Sequence, residues 1–399
     1  MTLRSKLTWI AILYFAEGFP FGIVIDNLPV YFRTHGVSLT QIGLMSLLGL
    51  PWTLKVFWSP LVDRCGERRH WITGCLLGMA VVLVLLPLFD PSSPGRPLWA
   101  MLLVFTIASA TQDIAIDAYS ISLLSRGEEG IGNGVRVSAY RVALIVGGGG
   151  LVMAAELANW SSLYMGAGVA MAFLSLVTSR APRVSIKAEP IGDWLKALSA
   201  WLMRPGAIFV LLFILLYKLG DTAMGPMVKP FWIDRGLTLK EIGLISTSLG
   251  VAASIAGSLL GGWVTTRWGI YKGLWALGLL QAFSNLGYAA AAYFEGGRPA
   301  IYGASLFESF TGGLGTAAFL AFLMRICEKE RAATEYALVS ALFGLTRSVS
   351  GALSGLGATR LGYASYFGVT FFLALPAFAL LPLVRPWAAD PEGGITPEA

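Results

Sequence analysis

Gly36-Val37-Ser38-Leu39-Thr40-Gln41-Ile42-Gly43-Leu44-Met45-Ser46 returns two hundred positions later as Gly236-Leu237-Thr238-Leu239-Lys240-Glu241-Ile242-Gly243-Leu244-Ile245-Ser246. The loop beyond it repeats as well. Asp63-Arg64-Cys65-Gly66-Glu67-Arg68-Arg69 corresponds to Thr266-Arg267-Trp268-Gly269-Ile270-Tyr271-Lys272. Ser109 and Thr111 line up with Ser309 and Thr311 at the first offset. Around these markers lie twelve apolar stretches of about 20 residues, each long enough to cross a bilayer as a helix. Their limits are 8–32, 41–62, 71–89, 98–124, 135–157, 160–179, 207–233, 241–264, 273–294, 299–327, 333–357 and 363–385. An even number of spans per copy leaves both copies facing the same way, related by an axis along the membrane normal. The expected fold is an all-α polytopic membrane protein of twelve transmembrane helices in two parallel six-helix bundles. The bundles are 1–179 and 207–385, with a polar central loop at 180–206 and an acidic tail at 386–399. Within the loop, Trp194 to Leu198 suggests a short interfacial helix.

Composition agrees with that frame. The chain is 56% apolar and 13% charged, with mean hydropathy +0.69. A soluble domain carries about twice that charge. The net charge of +6 needs no nucleic-acid partner, because Lys and Arg collect in cytoplasmic loops of membrane proteins. With the N-terminus placed in the cytoplasm, most of the 29 Lys and Arg fall on inside loops, so both termini are expected inside. Three scattered cysteines and two histidines form no metal-ligand pattern. No Walker loop, dinucleotide fingerprint or Ser/His/Asp order is present, so no cofactor, metal or ATP-driven step is expected. Nothing requires more than a monomer.

Charge is scarce, so each charged residue inside a span is informative. In Thr111-Gln112-Asp113-Ile114-Ala115-Ile116-Asp117-Ala118-Tyr119, the two acids are four apart and share one helical face. A carboxylate at mid-bilayer depth costs at least a few kcal/mol. Either these acids line a wet path and carry protons or meet substrate, or they are neutral and bonded to neighbouring helices. Glu17 stands beside Gly18, Pro20 and Gly22, where the first span is open to a break. Asp26 is expected near the external face, solvated. Lys55 can snorkel to the interface or pair with Asp113 or Asp117. Arg141 precedes Gly147–Gly150, a run that requires another backbone or a ligand close by. It can anchor the helix end at headgroups or hold an anion. Lys218 and Asp221 are three apart and can pair within one helix. Glu308 and Arg347 add a further acid and base, and the set suggests a polar cavity for an anionic or zwitterionic small molecule and protons.

Several of these motifs together resemble a known family. They are Lys55 with Trp58-Ser59-Pro60-Leu61 and Asp63-Arg64; Ser109 through Asp117-Ala118; Tyr140-Arg141 with the glycines after it; Leu216 through Asp221; and Phe307-Glu308 followed by Gly312 through Phe319. The set is similar to the AmpG muropeptide permease group, which sits with the acetyl-CoA transporters in the major facilitator superfamily. The loop Asp63, Arg64, Gly66, Arg68 and Arg69 resembles the cytoplasmic signature of that superfamily and is expected to act as a gate. The resemblance implies proton-coupled import of N-acetylglucosaminyl-anhydro-N-acetylmuramyl peptides across a bacterial inner membrane. Such uptake feeds wall recycling and, in some bacteria, β-lactamase induction.

By this resemblance Gln112, Asp113 and Asp117 carry the most recognisable polar motif, and Lys55, Arg141, Lys218, Asp221 and Glu308 fall on matching positions. The chain departs at Glu17, where the family more often has a small polar residue, and at Asp26. Siderophores and acyl-CoA-like anions are alternative cargoes, because relatives import siderophores. A non-transporting sensor is a further alternative. A membrane enzyme is disfavoured by the lack of a catalytic constellation. The expected mechanism protonates Asp113 or Asp117, with Glu17 as a second site, and holds substrate carboxylates on Arg141 and Arg347.

Overall fold

The structure, a computed structural model, describes residues 1–64, 67–124, 129–183, 203–294, 296–326 and 332–388. Cys65 and Gly66, the 194–198 stretch, Cys327 and the tail from 389 onward lie outside the described residues, as do the side chains of Asp63 and Arg64. All regular structure among the described residues is helical, as expected of a chain whose backbone groups must be satisfied without water. Among the described residues, eight helices are long and apolar enough to cross a membrane.

In chain order the helices are α1 Leu3–Thr34, α2 Leu39–Leu54, α3 Arg68–Leu88, α4 Arg96–Leu123 and α5 Glu129–Ile145. They continue with α6 Trp160–Thr178, α7 Ala207–Asp234, the short helix Leu239–Leu244 that runs through Ile245–Leu249 into α8 Gly250–Trp268, then α9 Ile270–Tyr293, α10 Gly297–Arg325 and α11 Ala332–Ala388. Helix occupies each of the twelve stretches. The last two are separate helical arms of α11, divided at Gly362, whose φ of 73° and ψ of 161° are non-helical. The second arm runs to Ala388, past the limit read from the sequence. The second stretch is broken into short pieces, with Pro51 in the first turn of one and 3₁₀ turns at Met45–Gly49 and Lys55–Phe57.

The repeated motif turns out to be a helix stop followed by a helix start. Gly36 (φ 82°) and Gly236 (φ 75°) take the left-handed conformation that closes α1 and α7. Val37 N–H then reaches back to Phe32 O (3.1 Å), and Leu237 N–H to Trp232 O (3.0 Å). Two residues beyond each glycine a hydroxyl caps the next helix. Ser38 Oγ accepts from Gln41 N–H, and Thr238 Oγ1 accepts from Glu241 N–H. Glu241 returns the bond to Thr238 N–H, completing a capping box.

The chain forms two compact units. The first comprises Met1–Gly192, Gly225–Leu249 and Arg347–Arg360. The second comprises Asp193–Met224, Gly250–Thr346 and Leu361–Ala399. Each therefore draws on both sequence halves.

In the first unit α1 lies backbone to backbone against α5. A Cβ on Gly18 would meet the Tyr140 carbonyl, one on Gly22 would meet Gly148 N, and one on Gly147 would meet the Phe19 carbonyl. The facing segments, Ile23–Asn27 and Val146–Gly150, are both π turns. The four-glycine run thus has the neighbouring backbone that its sequence demanded. Asp26 is not simply solvated, because its Cβ and carboxylate cover Gly148 and Lys229 binds the carboxylate. Nearby, Arg33 clasps Asp234 through Nε (2.7 Å) and Nη2 (2.5 Å), while Nη1 donates to Val37 O (3.0 Å).

The second unit is held by an aromatic core on α7, α10 and the end of α11, including Phe213, Phe319, Phe322 and Phe378. Gly257 and Gly261 of α8 bring that helix against the carbonyls of Phe310 and Leu314 on α10.

Replacing Gly147 by Val should cost more than about 3 kcal/mol, because the new side chain meets backbone that cannot step aside. The expected readout is a large loss of monodisperse protein and of thermal midpoint. Gly74→Ala, where nothing lies within 4 Å of the new methyl, should leave both unchanged.

Candidate functional site

Pro20 lies inside α1. Proline has no N–H, so the carbonyl four residues back loses its usual donor. That carbonyl belongs to Ala16, and Gln112 Nε2 donates to it at 3.3 Å. The amide of α4 thus fills a gap opened by a proline of α1. Gln112 is completely buried, and the bond docks the α4 acids beside Glu17.

Three carboxylates meet there. One oxygen each from Glu17, Asp113 and Asp117 lies within 4.8 Å of the others. Such a group can hold a small cation, but two of the three acids already have cationic partners. Lys55 Nζ is 2.5 Å from Asp113 Oδ2, so it pairs rather than snorkels. Arg136 Nη2 is 2.9 Å from Asp117 Oδ1, which also accepts from Tyr14 Oη at 2.7 Å. The Arg136 guanidinium lies 4.6 Å over the Tyr14 ring. Trp58 Nε1 donates to Thr111 Oγ1 (3.1 Å), holding the irregular stretch that presents Lys55 against α4.

Glu17 is different. It is 9% exposed, has no ion pair among the described residues, and its Oε2 is buried without a hydrogen-bond partner. Three acids face two bases, and Glu17 is the one left over.

The expected gate residues Arg68 and Arg69 bind backbone. Arg68 Nη1 donates to Ala118 O (2.8 Å) and to Ser122 Oγ (3.2 Å) at the end of α4. Arg69 donates to Ala181 O (3.3 Å) and to Glu67 (3.1 Å). Arg141 and Arg347 also belong to the first unit, and both are exposed.

The second unit gathers the remaining expected residues. Lys218 is 3% exposed. Its ammonium has three hydrogens and three acceptors: Gln281 Oε1 (2.5 Å), Thr316 Oγ1 (3.0 Å) and Asp221 Oδ2 (3.5 Å). Gln281 Nε2 in turn donates to Asp221. Glu308 Oε1 and Gln281 Nε2 flank Gly312.

The sequence reading missed Tyr14, Arg136, Gln281 and Thr316. Gln281 was findable as an amide inside an apolar span, four residues before Asn285 on the same helix. Arg136 read as ordinary loop charge, and Tyr14 gave no signal.

The pattern of the Major Facilitator Superfamily matches residues 10–219 and 210–398. The anhydromuropeptide permease of Escherichia coli K12 is 31% identical over 392 residues, covering 94% of this chain and 78% of the relative. An uncharacterized protein of Haemophilus influenzae is 32% identical over 404 residues, covering 96% of this chain and 95% of the relative. Among solved structures, a POT family transporter in complex with a thioalcohol-conjugated peptide superimposes with a TM-score of 0.76 at 11% identity, covering 96% of each chain.

Gln112→Ala leaves the Ala16 carbonyl unsatisfied and should lower stability by about 1–3 kcal/mol. In a Pro20→Ala background the backbone supplies its own donor, so the same change should cost clearly less. A double-mutant cycle on thermal or denaturant unfolding measures the difference.

Proposed function

The chain belongs to the AmpG-type permease family of the major facilitator superfamily, and from that premise we propose that it imports anhydro-muropeptides together with protons across the bacterial inner membrane. It is a multi-pass membrane transporter, not an enzyme. The cargo reading rests on the family and on the 31% identical Escherichia coli relative, an anhydromuropeptide permease. The coupling reading rests on one observation, the unmatched Glu17 carboxylate beside two neutralised aspartates.

The charge count supports placing the proton on Glu17. An ionised carboxylate without cation or donor in a buried site costs several kcal/mol, and one proton removes that cost. Asp113 and Asp117 keep Lys55 and Arg136 in place while Glu17 gains and loses its proton. In the cycle, Glu17 is protonated from the outside. The neutralised cluster then tolerates closure around the loaded site. Release inside, at higher pH, draws the proton off. Arg68, bonded to Ala118 beside Asp117, ties the gate loop to the same helix.

The test is uptake of a radiolabelled anhydro-disaccharide peptide into proteoliposomes. One coupled proton lets a one-unit pH gradient drive about tenfold accumulation, equivalent to about 1.4 kcal/mol. Wild-type protein should show that accumulation and lose it when the gradient is collapsed. Glu17→Gln, a permanent mimic of the protonated acid, should keep exchange of labelled for unlabelled substrate but no longer accumulate it. Gradient-driven accumulation by Glu17→Gln would move the proton elsewhere. No uptake by folded wild-type protein would overturn the cargo.

A further inference from the structure

Among the described residues Arg347, like Arg141, lacks the carboxylate partner that four other bases of the first unit have, and it differs from Arg141 in lying over an aromatic ring. Lys55 has Asp113, Arg136 has Asp117, Lys229 has Asp26 and Arg33 has Asp234. Arg347 has no acid partner among the described residues. Asp26 is close enough to act on it electrostatically, but Lys229 already binds that carboxylate. Arg347 lies midway along the arm of α11 that precedes the Gly362 bend. Its neighbours Thr346, Ser348 and Ser350 are buried, yet Arg347 itself is exposed. A lipid-facing guanidinium at that depth is costly. The side chain instead turns toward α1, with its guanidinium 5.8 Å over the Phe21 ring. Exposure inside the fold means a water-filled space.

Phe21 is the hub of an aromatic group from three helices. Trp52 of α2 meets it edge to face with centroids 4.9 Å apart, and Tyr140 of α5 lies 6.2 Å away. All three rings are half-buried, so each keeps surface open to the same space. A guanidinium without a counter-ion calls for an anion and suits the two oxygens of a carboxylate. Aromatic faces beside it call for a flat or apolar ring surface, such as the C–H face of a pyranose.

We propose that Arg347, Phe21, Trp52 and Tyr140 form a subsite that seats a sugar ring with a carboxylate close by, with Arg347 holding the carboxylate and the aromatic rings holding the sugar face; in a muramyl peptide, whose lactyl carboxyl is amide-linked, that carboxylate belongs to the peptide. The proposal rests on the muropeptide reading for the identity of the sugar, but not for the existence of the site. It separates two duties. The Glu17 cluster handles the proton, and this group recognises cargo.

Two measurements test it. The first needs no cargo. In a background with the three natural cysteines replaced by Ser, Arg347→Cys and Trp52→Cys are exposed to a water-soluble thiol reagent. Both should react much faster than Phe173→Cys, which lies on the exposed apolar face of α6. Equal, slow reaction would overturn the proposal whatever the cargo.

The second is equilibrium binding to purified protein without a pH gradient, which leaves coupling out. The probes are the anhydro-disaccharide peptide with its carboxylates free, as the acid, and the same peptide with each carboxyl converted to a carboxamide. Wild type should prefer the acid by about tenfold to a hundredfold, the range for a charged hydrogen-bonded contact. Arg347→Gln should bind both equally. Trp52→Leu should weaken both alike and keep the preference. An undiminished preference in folded Arg347→Gln would overturn the assignment. Wild type binding neither probe would sink the muropeptide reading, and the labelling rates alone would then decide the site.

Discussion

A charge carried into a bilayer must find its partner inside the protein, and that constraint orders the functional half of this structure. Lys55 and Asp113, Arg136 and Asp117, Lys229 and Asp26, and Lys218 and Asp221 are each matched within one compact unit. Against that matching, two groups of the first unit that lack an ion pair among the described residues are conspicuous. Glu17 is an acid without a base, and Arg347 is a base without an acid. In a soluble enzyme neither would be remarkable, since water would serve both. In the reading proposed above, a proton serves the one and a carboxylate of the cargo the other.

The backbone shows the same accounting. Pro20 withdraws a donor from Ala16, and Gln112 supplies one from another helix. The break that makes α1 irregular therefore also fixes α4 against it. The π turns of α1 and α5 lie together where glycine lets the two main chains touch. Lys218 shows the opposite case, a cation whose hydrogens are all satisfied by its own unit. Such a residue holds α7, α9 and α10 together and has no donor left for a substrate.

Much of the architecture was legible because it depends on local rules. The apolar runs, the repeated Gly36 and Gly236 stops and the hydroxyl caps after them act within a few residues, and periodicity exposes them. The polar motif around Asp113 was legible because acids are rare in such runs. Pairing was not, since it depends on long side chains meeting across helices. Arg136 lies in a stretch that reads as loop charge and reaches Asp117 only through its full length. Tyr14 is one aromatic among many until Asp117 is placed against it. Asp26 was misread because its partner is about two hundred residues away. The division of the last two spans was legible too, because Gly362 lies in the gap between them and takes a conformation no helix interior allows.

That same distance bears on how the protein is made. Arg33 and Asp26 lie at the end of α1, and their partners Asp234 and Lys229 sit on α7. Synthesis proceeds from the N-terminus, and early segments fold as they emerge. Until α7 is inserted, α1 holds an acid and a base that lack these partners. The N-terminal six helices made alone would keep that deficit. The first half can thus assemble its Glu17 cluster early, yet its α1 end is completed only when the second half arrives. These two ion pairs can form only once α7 has been inserted.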